Sequence, residues 1–168
     1  MPPSTSKKVV IRRFDREPLK GFVSPQTYLQ ADGLELLSAA GVLTKVPYEE
    51  VKAVCFVRDF NAEEPSSERR TFSSRPKNFG LWVRMRFRDG EVMDGLFPNN
   101  LLQWEVQGYT FVPPNPSSNN QKIFVPRMAV TEVQVLAVVG SPLRGERARG
   151  RPKAEQMGLF EEPGRQAF

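Results

Sequence analysis

The feature that most limits what this chain can fold into is an internal repeat. From Val83 to Phe97 the residues alternate apolar and charged, with Val83, Met85 and Phe87 on one face and Arg84, Arg86 and Arg88 on the other, and the run breaks at Asp89-Gly90. A period of two interrupted by Asp-Gly is the pattern of a β-hairpin, because glycine supplies positive φ at the turn without a Cβ penalty. The run from Val9 to Val23 carries the same spacing 74 residues earlier, with Asp15 for Asp89, Glu17 for Glu91, Leu19 for Met93 and Gly21 for Gly95. A second match lies at the far end of each copy, where Val46, Pro47, Val51 and Val54 align with Val125, Pro126, Val130 and Val133 at an offset of 79. The chain therefore holds two copies of one unit, the second with five extra residues in its middle, where a loop absorbs them. On this pattern Val9, Ile11, Leu19, Val83, Met85 and Met93 face inward, and Val83 and Met85 share one face.

Each unit has room for about five short strands, which makes the fold all-β: two tandem five-stranded small barrels followed by a disordered tail. We divide the chain into a first barrel over 8–57, a polar linker loop over 58–80, a second barrel over 81–140 and a basic tail over 141–168. A single continuous β-sandwich drawing on both repeats is the structural rival. The tail is rich in Arg, Gly, Pro and Glu, and no run in it can bury a core.

Composition removes most chemistry. There is no histidine and only one cysteine, Cys55, so the commonest general base and metal ligand is missing and neither an internal disulfide nor a zinc site is available. Asp89, Glu91 and Asp94 lie close in sequence, yet Asp89-Gly90 serves the turn and nothing beside it supplies a nucleophile. We expect no enzyme, no cofactor and no metal. No apolar run reaches the roughly 18 residues of a membrane helix, and we expect a cytoplasmic protein without membrane contact. With 24 basic against 19 acidic residues the net charge is +5, which suits an anionic partner. Two stretches concentrate that charge. Arg69, Arg70, Arg75 and Lys77 stand beside Phe72 and Phe79, a mixture that single-stranded nucleic acid binders use; a solvated loop is the plainer reading. Arg84, Arg86 and Arg88 form either a phosphate-facing stripe or a strand face kept charged for solubility.

The leading hairpin and the hydrophobic-x-x-x-x-Val-x-x-Val turn of each unit resemble the Sm-like barrel, a five-stranded member of the SH3-like small barrels. The overall layout, including Arg75-Pro76-Lys77 and Phe124-Val125-Pro126-Arg127, also resembles an uncharacterised bacterial domain family. The Asp-x-x-Met-Asn loop that lines the Sm RNA pocket has no match at Asp32-Gly33-Leu34 or Gln107-Gly108-Tyr109. In the tail, Arg149-Gly150-Arg151-Pro152-Lys153 resembles the AT-hook core, which implies contact with the minor groove of A·T-rich DNA. Gln156-Met157-Gly158-Leu159-Phe160 resembles the pentapeptide by which bacterial polymerases and repair proteins dock on the sliding clamp; Gln156, Met157, Leu159 and Phe160 are the contact residues this implies. These resemblances imply a non-catalytic adaptor of DNA or of the replication and repair machinery, acting through its tail. The alternative is a protein-interaction or regulatory module, or an Sm-like RNA binder, whose tail is a solvated basic leash. Neither reading fixes the oligomeric state.

Overall fold

The structure, a computed structural model, describes residues 5–62, 69–116 and 118–140. They form ten strands: β1 Lys7–Arg13, β2 Leu19–Val23, β3 Gly33–Leu37, β4 Leu43–Pro47, β5 Val51–Val57, β6 Gly80–Phe87, β7 Val92–Phe97, β8 Gly108–Phe111, β9 Asn120–Pro126 and β10 Val130–Val139. Three short 3-10 turns, Tyr48–Glu50, Leu101–Gln103 and Arg127–Ala129, complete the described secondary structure, so the fold is all-β. No helix among the described residues is long and apolar enough to cross a membrane.

The repeat holds register for register. Val9 pairs with Gly21 and with Phe56, and its counterpart Val83 pairs with Gly95 and with Val135. Ile11 opposite Val54 corresponds to Met85 opposite Val133, and both edges slip by one residue at the same place, between Arg12 and Arg13 on β1 and between Val130 and Glu132 on β10. The middles also correspond: Gly33 lies opposite Pro47 and Gly108 opposite Pro126. At Gly21 a Cβ would sit 2.5 Å from the Leu37 carbonyl oxygen, and at Gly95 it would enter the Phe111 ring. The next strand crosses too close there for any side chain, which is why both repeats carry glycine. The second hairpin turns at Gly90, whose φ of 87° is the left-handed region that the Asp-Gly signal anticipated.

The strands do not separate into two closed five-stranded barrels. They form a seven-stranded sheet, β4-β3-β2-β1-β5-β9-β8, and a three-stranded sheet, β10-β6-β7. A bridge between Leu96 and Val112, with backbone bonds of 2.9 and 3.0 Å, joins β7 to the residue after β8. The seam between the repeats is β5 against β9, with Val54 opposite Phe124 and Cys55 opposite Ile123. This pairing carries the first sheet across the linker, where we had expected separate bodies. Its cause is that β5 and β9 are apolar on both faces. Val51, Val54 and Phe124 enter a core with Val9, Ile11, Leu34 and Val46; Ala53, Cys55, Val57, Ile123 and Val125 enter a second core with Val83, Met85, Phe87 and Met93. A strand that serves two cores cannot close one barrel and leave the other alone. The expected inward residues are buried, Val9, Ile11, Val83 and Met85 completely and Met93 at 8% exposure, while Leu19 packs at the margin of the first core.

A candidate nucleic-acid interface

Asp94 is the post to which the basic segment is tied. On β7 it points away from Met93 and directly opposite Arg84, so the hairpin register itself creates the pair. Arg84 donates Nε to Asp94 Oδ1 at 2.7 Å and Nη2 to Oδ2 at 3.0 Å, and Trp82 Nε1 donates to Oδ2 at 3.1 Å. The returning chain adds two bonds: Phe72 N–H donates to Asp94 Oδ2 at 3.1 Å, and the Asp94 N–H donates to the Arg70 carbonyl at 2.6 Å. Phe72 also packs edge-on against Trp82 at 5.8 Å. Burial alone would push the Asp94 carboxyl up; the bonds from Arg84, Phe72 and Trp82 outweigh it and hold the group below its ordinary 3.8. Asp94 is fully buried and ionised, and its role is positional rather than part of a turn.

Held this way, the segment from Arg69 onward borders a run of three adjoining cavities. The first, about 300 Å³, is lined by Arg69, Phe72, Arg75, Lys77 and the prolines 113, 114 and 116. A constriction of about 10 Å³ shares Arg69, Pro113 and Pro114 with it and adds Arg12 and Arg70. Beyond lies a third cavity of about 440 Å³, lined by Arg12, Arg13, Lys20, Lys52, Arg70, Phe60 and Glu91. Eight cations line these three adjoining cavities, together the basic track, and Glu91 is the one carboxylate among the described residues that line them.

How those cations are held decides what the track can do. Arg13 donates to the Glu17 carbonyl at 2.6 and 2.9 Å, Lys20 to the Phe60 carbonyl at 2.8 Å and Arg75 to the Val138 carbonyl at 2.9 Å. A carbonyl orients a cation without neutralising it, so positive potential survives along the track. Carboxylates meet Lys52, through Asp89 at 2.5 Å and Glu91, and Arg70, through Glu91; Arg13 also lies 3.5 Å from Glu50. Charges fixed before a ligand arrives lose little side-chain freedom on binding. The chemistry offered is recognition of a chain of anions. Among the described residues no group of three or more His, Cys, Asp or Glu side chains stands ready for a metal.

Of the residues singled out from sequence, Arg69, Arg70, Arg75 and Lys77 come together on this track. Arg84, Arg86 and Arg88 do not line it: Arg84 is forked onto Asp94, Arg86 lies 3.4 Å from Glu132, and Arg88 stacks on the Phe14 ring at 3.8 Å while donating to the Glu49 carbonyl at 2.6 Å. The tail residues Arg149, Gly150, Arg151, Pro152 and Lys153, and Gln156, Met157, Leu159 and Phe160, lie outside the described residues. Sequence reasoning missed Arg12, Arg13, Lys20 and Lys52. A signal was present, since the 74-residue offset sets Arg12 in the slot that Arg86 fills in the second hairpin.

No curated protein and no solved structure matches this chain. The model of one family, DUF6982, described as a family of unknown function, matches residues 5–137, which run from just before β1 almost to the end of β10. The chain belongs to that family.

Proposed function

We propose that this chain is a non-catalytic binding protein that holds a strand of nucleic acid along its basic track. One observation carries the reading: eight cations line adjoining cavities, and two of them, Lys20 and Arg75, are oriented by carbonyls rather than cancelled by carboxylates. The half-buried rings of Phe60 and Phe72 stand among these cations, which suits a single strand whose bases offer stacking faces. Each repeat is, on this proposal, a degenerate Sm-like small barrel. Support comes from the order β5-β1-β2-β3-β4 in the first repeat and from the 3-10 turn that precedes the last strand of both. The tail serves as a second contact, Arg149 to Lys153 toward A·T-rich duplex and Gln156 to Phe160 toward a sliding clamp.

The test is fluorescence anisotropy with labelled single-stranded DNA and the full chain. Replacing Arg69, Arg75 and Lys77 together by Gln should weaken binding about tenfold or more, while Arg86→Gln, off the track, should change it little. Equal affinities for all three proteins would refute the track. If only a double change of Arg149 and Arg151 weakened binding, the tail would be the sole contact.

A further inference from the structure

A further cavity, of about 340 Å³, lies at the seam where the two repeats join, and both repeats wall it. From the first, β1 supplies Lys7 and Lys8, β5 supplies Phe56, and the residues after β2 supply Pro25 and Tyr28. The second adds Glu105, Thr110 of β8 and Lys122 of β9, and Lys122 is there because the seam register sets it opposite Phe56. None of the eight cations of the basic track lines this cavity.

Glu105 is the one carboxylate among the described residues that line it, and its hydrogen bonding is incomplete. Oε1 accepts from the Thr110 hydroxyl at 2.9 Å, while Oε2 is buried and accepts from no donor among the described residues. A buried acceptor without a donor costs stability that an incoming N–H restores. The last torsion of a glutamate is broad, so a small rotation turns either oxygen to the cavity. Burial, and after it the Glu105 carboxylate, pushes the Tyr28 hydroxyl above its ordinary 10, so at neutral pH this ring adds no second anion. Tyr28 is 4% exposed and stands edge-on to Phe56 at 5.7 Å, which gives the cavity a rigid aromatic wall. Lys7, Lys8 and Lys122 are exposed, and no carboxylate among the described residues pairs with any of them; Lys8 donates instead to the Arg58 carbonyl at 3.4 Å.

A ligand that completes this site offers N–H to one carboxylate, a flat apolar body to the rings, and more than one negative charge to three lysines. An amino-acid zwitterion brings a single negative charge, whereas a phosphate monoester carries about −1.5 to −2 at neutral pH. Among the bases, guanine presents two neighbouring N–H donors, at N1 and N2, which match a carboxylate. Adenine and cytosine set a ring-nitrogen acceptor beside the amino group, and uracil flanks its N–H with two carbonyls, so each repels a carboxylate. We propose that the seam cavity binds a free guanine mononucleotide, with its base on Glu105 beside Tyr28 and Phe56 and its phosphate on Lys7, Lys8 and Lys122. The site is separate from the basic track and does not rest on it.

Isothermal titration calorimetry on the full chain tests this with the monophosphates of guanosine, adenosine, cytidine and uridine and with guanosine itself. Guanosine monophosphate should bind about tenfold or more tighter than each of the others. Glu105→Gln should erase the preference for guanine. Changing Lys7 and Lys122 together to Gln should bring guanosine monophosphate down to the level of guanosine, and because both lysines are exposed this variant decides the matter even if Glu105→Gln folds poorly. The track variant, with Arg69, Arg75 and Lys77 changed to Gln, should bind guanosine monophosphate as the parent does, and a guanine-bearing single strand should not displace it there. No binding at about 1 mM, equal binding of all four monophosphates, or loss of binding in the track variant but not in Glu105→Gln would overturn the proposal. Displacement by the strand would overturn it too, since the cavity would then take a base of a bound strand.

Discussion

Replacing Asp94 by Ala tests how the basic segment is held. The change strips four hydrogen bonds from one buried carboxylate: two from Arg84, one from Trp82 and one from the Phe72 N–H. An unpaired donor in a buried site costs about 1–3 kcal/mol. The Trp82 and Phe72 donors are part-buried, so the lower end applies, about 1 kcal/mol each. The Arg84 side chain is 41% exposed and can turn to water, so losing that ion pair adds only about 1 kcal/mol. The expected loss is about 3 kcal/mol, equivalent to roughly 6–12 °C in melting temperature for a chain of this size. Urea unfolding followed by tryptophan fluorescence reads it directly, since Trp82 touches the site. Asp94→Asn, which keeps one acceptor oxygen, should lose about half as much. The pH dependence has a definite sign. The folded carboxyl titrates below its ordinary 3.8, so its contribution is complete above that value and fades as pH falls through the lower folded one. In the Asn variant that part of the acid limb should disappear. A midpoint for Asp94→Ala within about 0.5 kcal/mol of the parent, at unchanged slope, would refute the reasoning.

Gly95→Ala should destabilise by about 1–3 kcal/mol, because the new methyl enters the Phe111 ring, which is itself stacked on Phe97 at 5.0 Å; thermal melting checks it, and a neutral result would mean that β7 and β8 are not in close contact. Val83→Asp should unfold at least the second core, since it places a carboxylate without a partner at a completely buried position; loss of near-ultraviolet circular dichroism reports it. A peptide spanning Lys153 to Pro163 should bind purified sliding clamp at about −8 kcal/mol, near micromolar, and the change of Leu159 and Phe160 to Ala should cost about 2 kcal/mol or more in the same anisotropy titration.

Much of the architecture was legible because a repeat doubles every signal. Asp89-Gly90 located one hairpin, and Gly21 and Gly95 recurring at the same offset marked positions where adjacent strands approach closely. The seam was harder to read. Val51 to Val57 is apolar nearly throughout, which is what burial on both faces requires, yet a short apolar run does not say which strand will lie beside it. Ile123-Phe124-Val125 carried the matching sign. Asp94 was passed over because it was weighed only together with Asp89 and Glu91, as a carboxylate cluster beside a turn. The observed hairpin register is symmetric about Asp89, five residues from each of Arg84 and Asp94, and so sets the two against each other. The track resisted prediction for a different reason. Its walls come from β1, β2, β5 and the segment after Arg69, and only the return of that segment onto β7 brings them together.

The salt dependence of binding tests the central claim most directly. On single-stranded DNA each cation that replaces a counterion contributes about 0.7 to the slope of log affinity against log salt. If the track holds the strand, the full chain with Arg69, Arg75 and Lys77 changed to Gln should show a slope shallower by about 2 than the parent, while a chain changed only at Arg149 and Arg151 should keep most of the parent slope. A triple variant whose slope equals that of the parent would contradict the account.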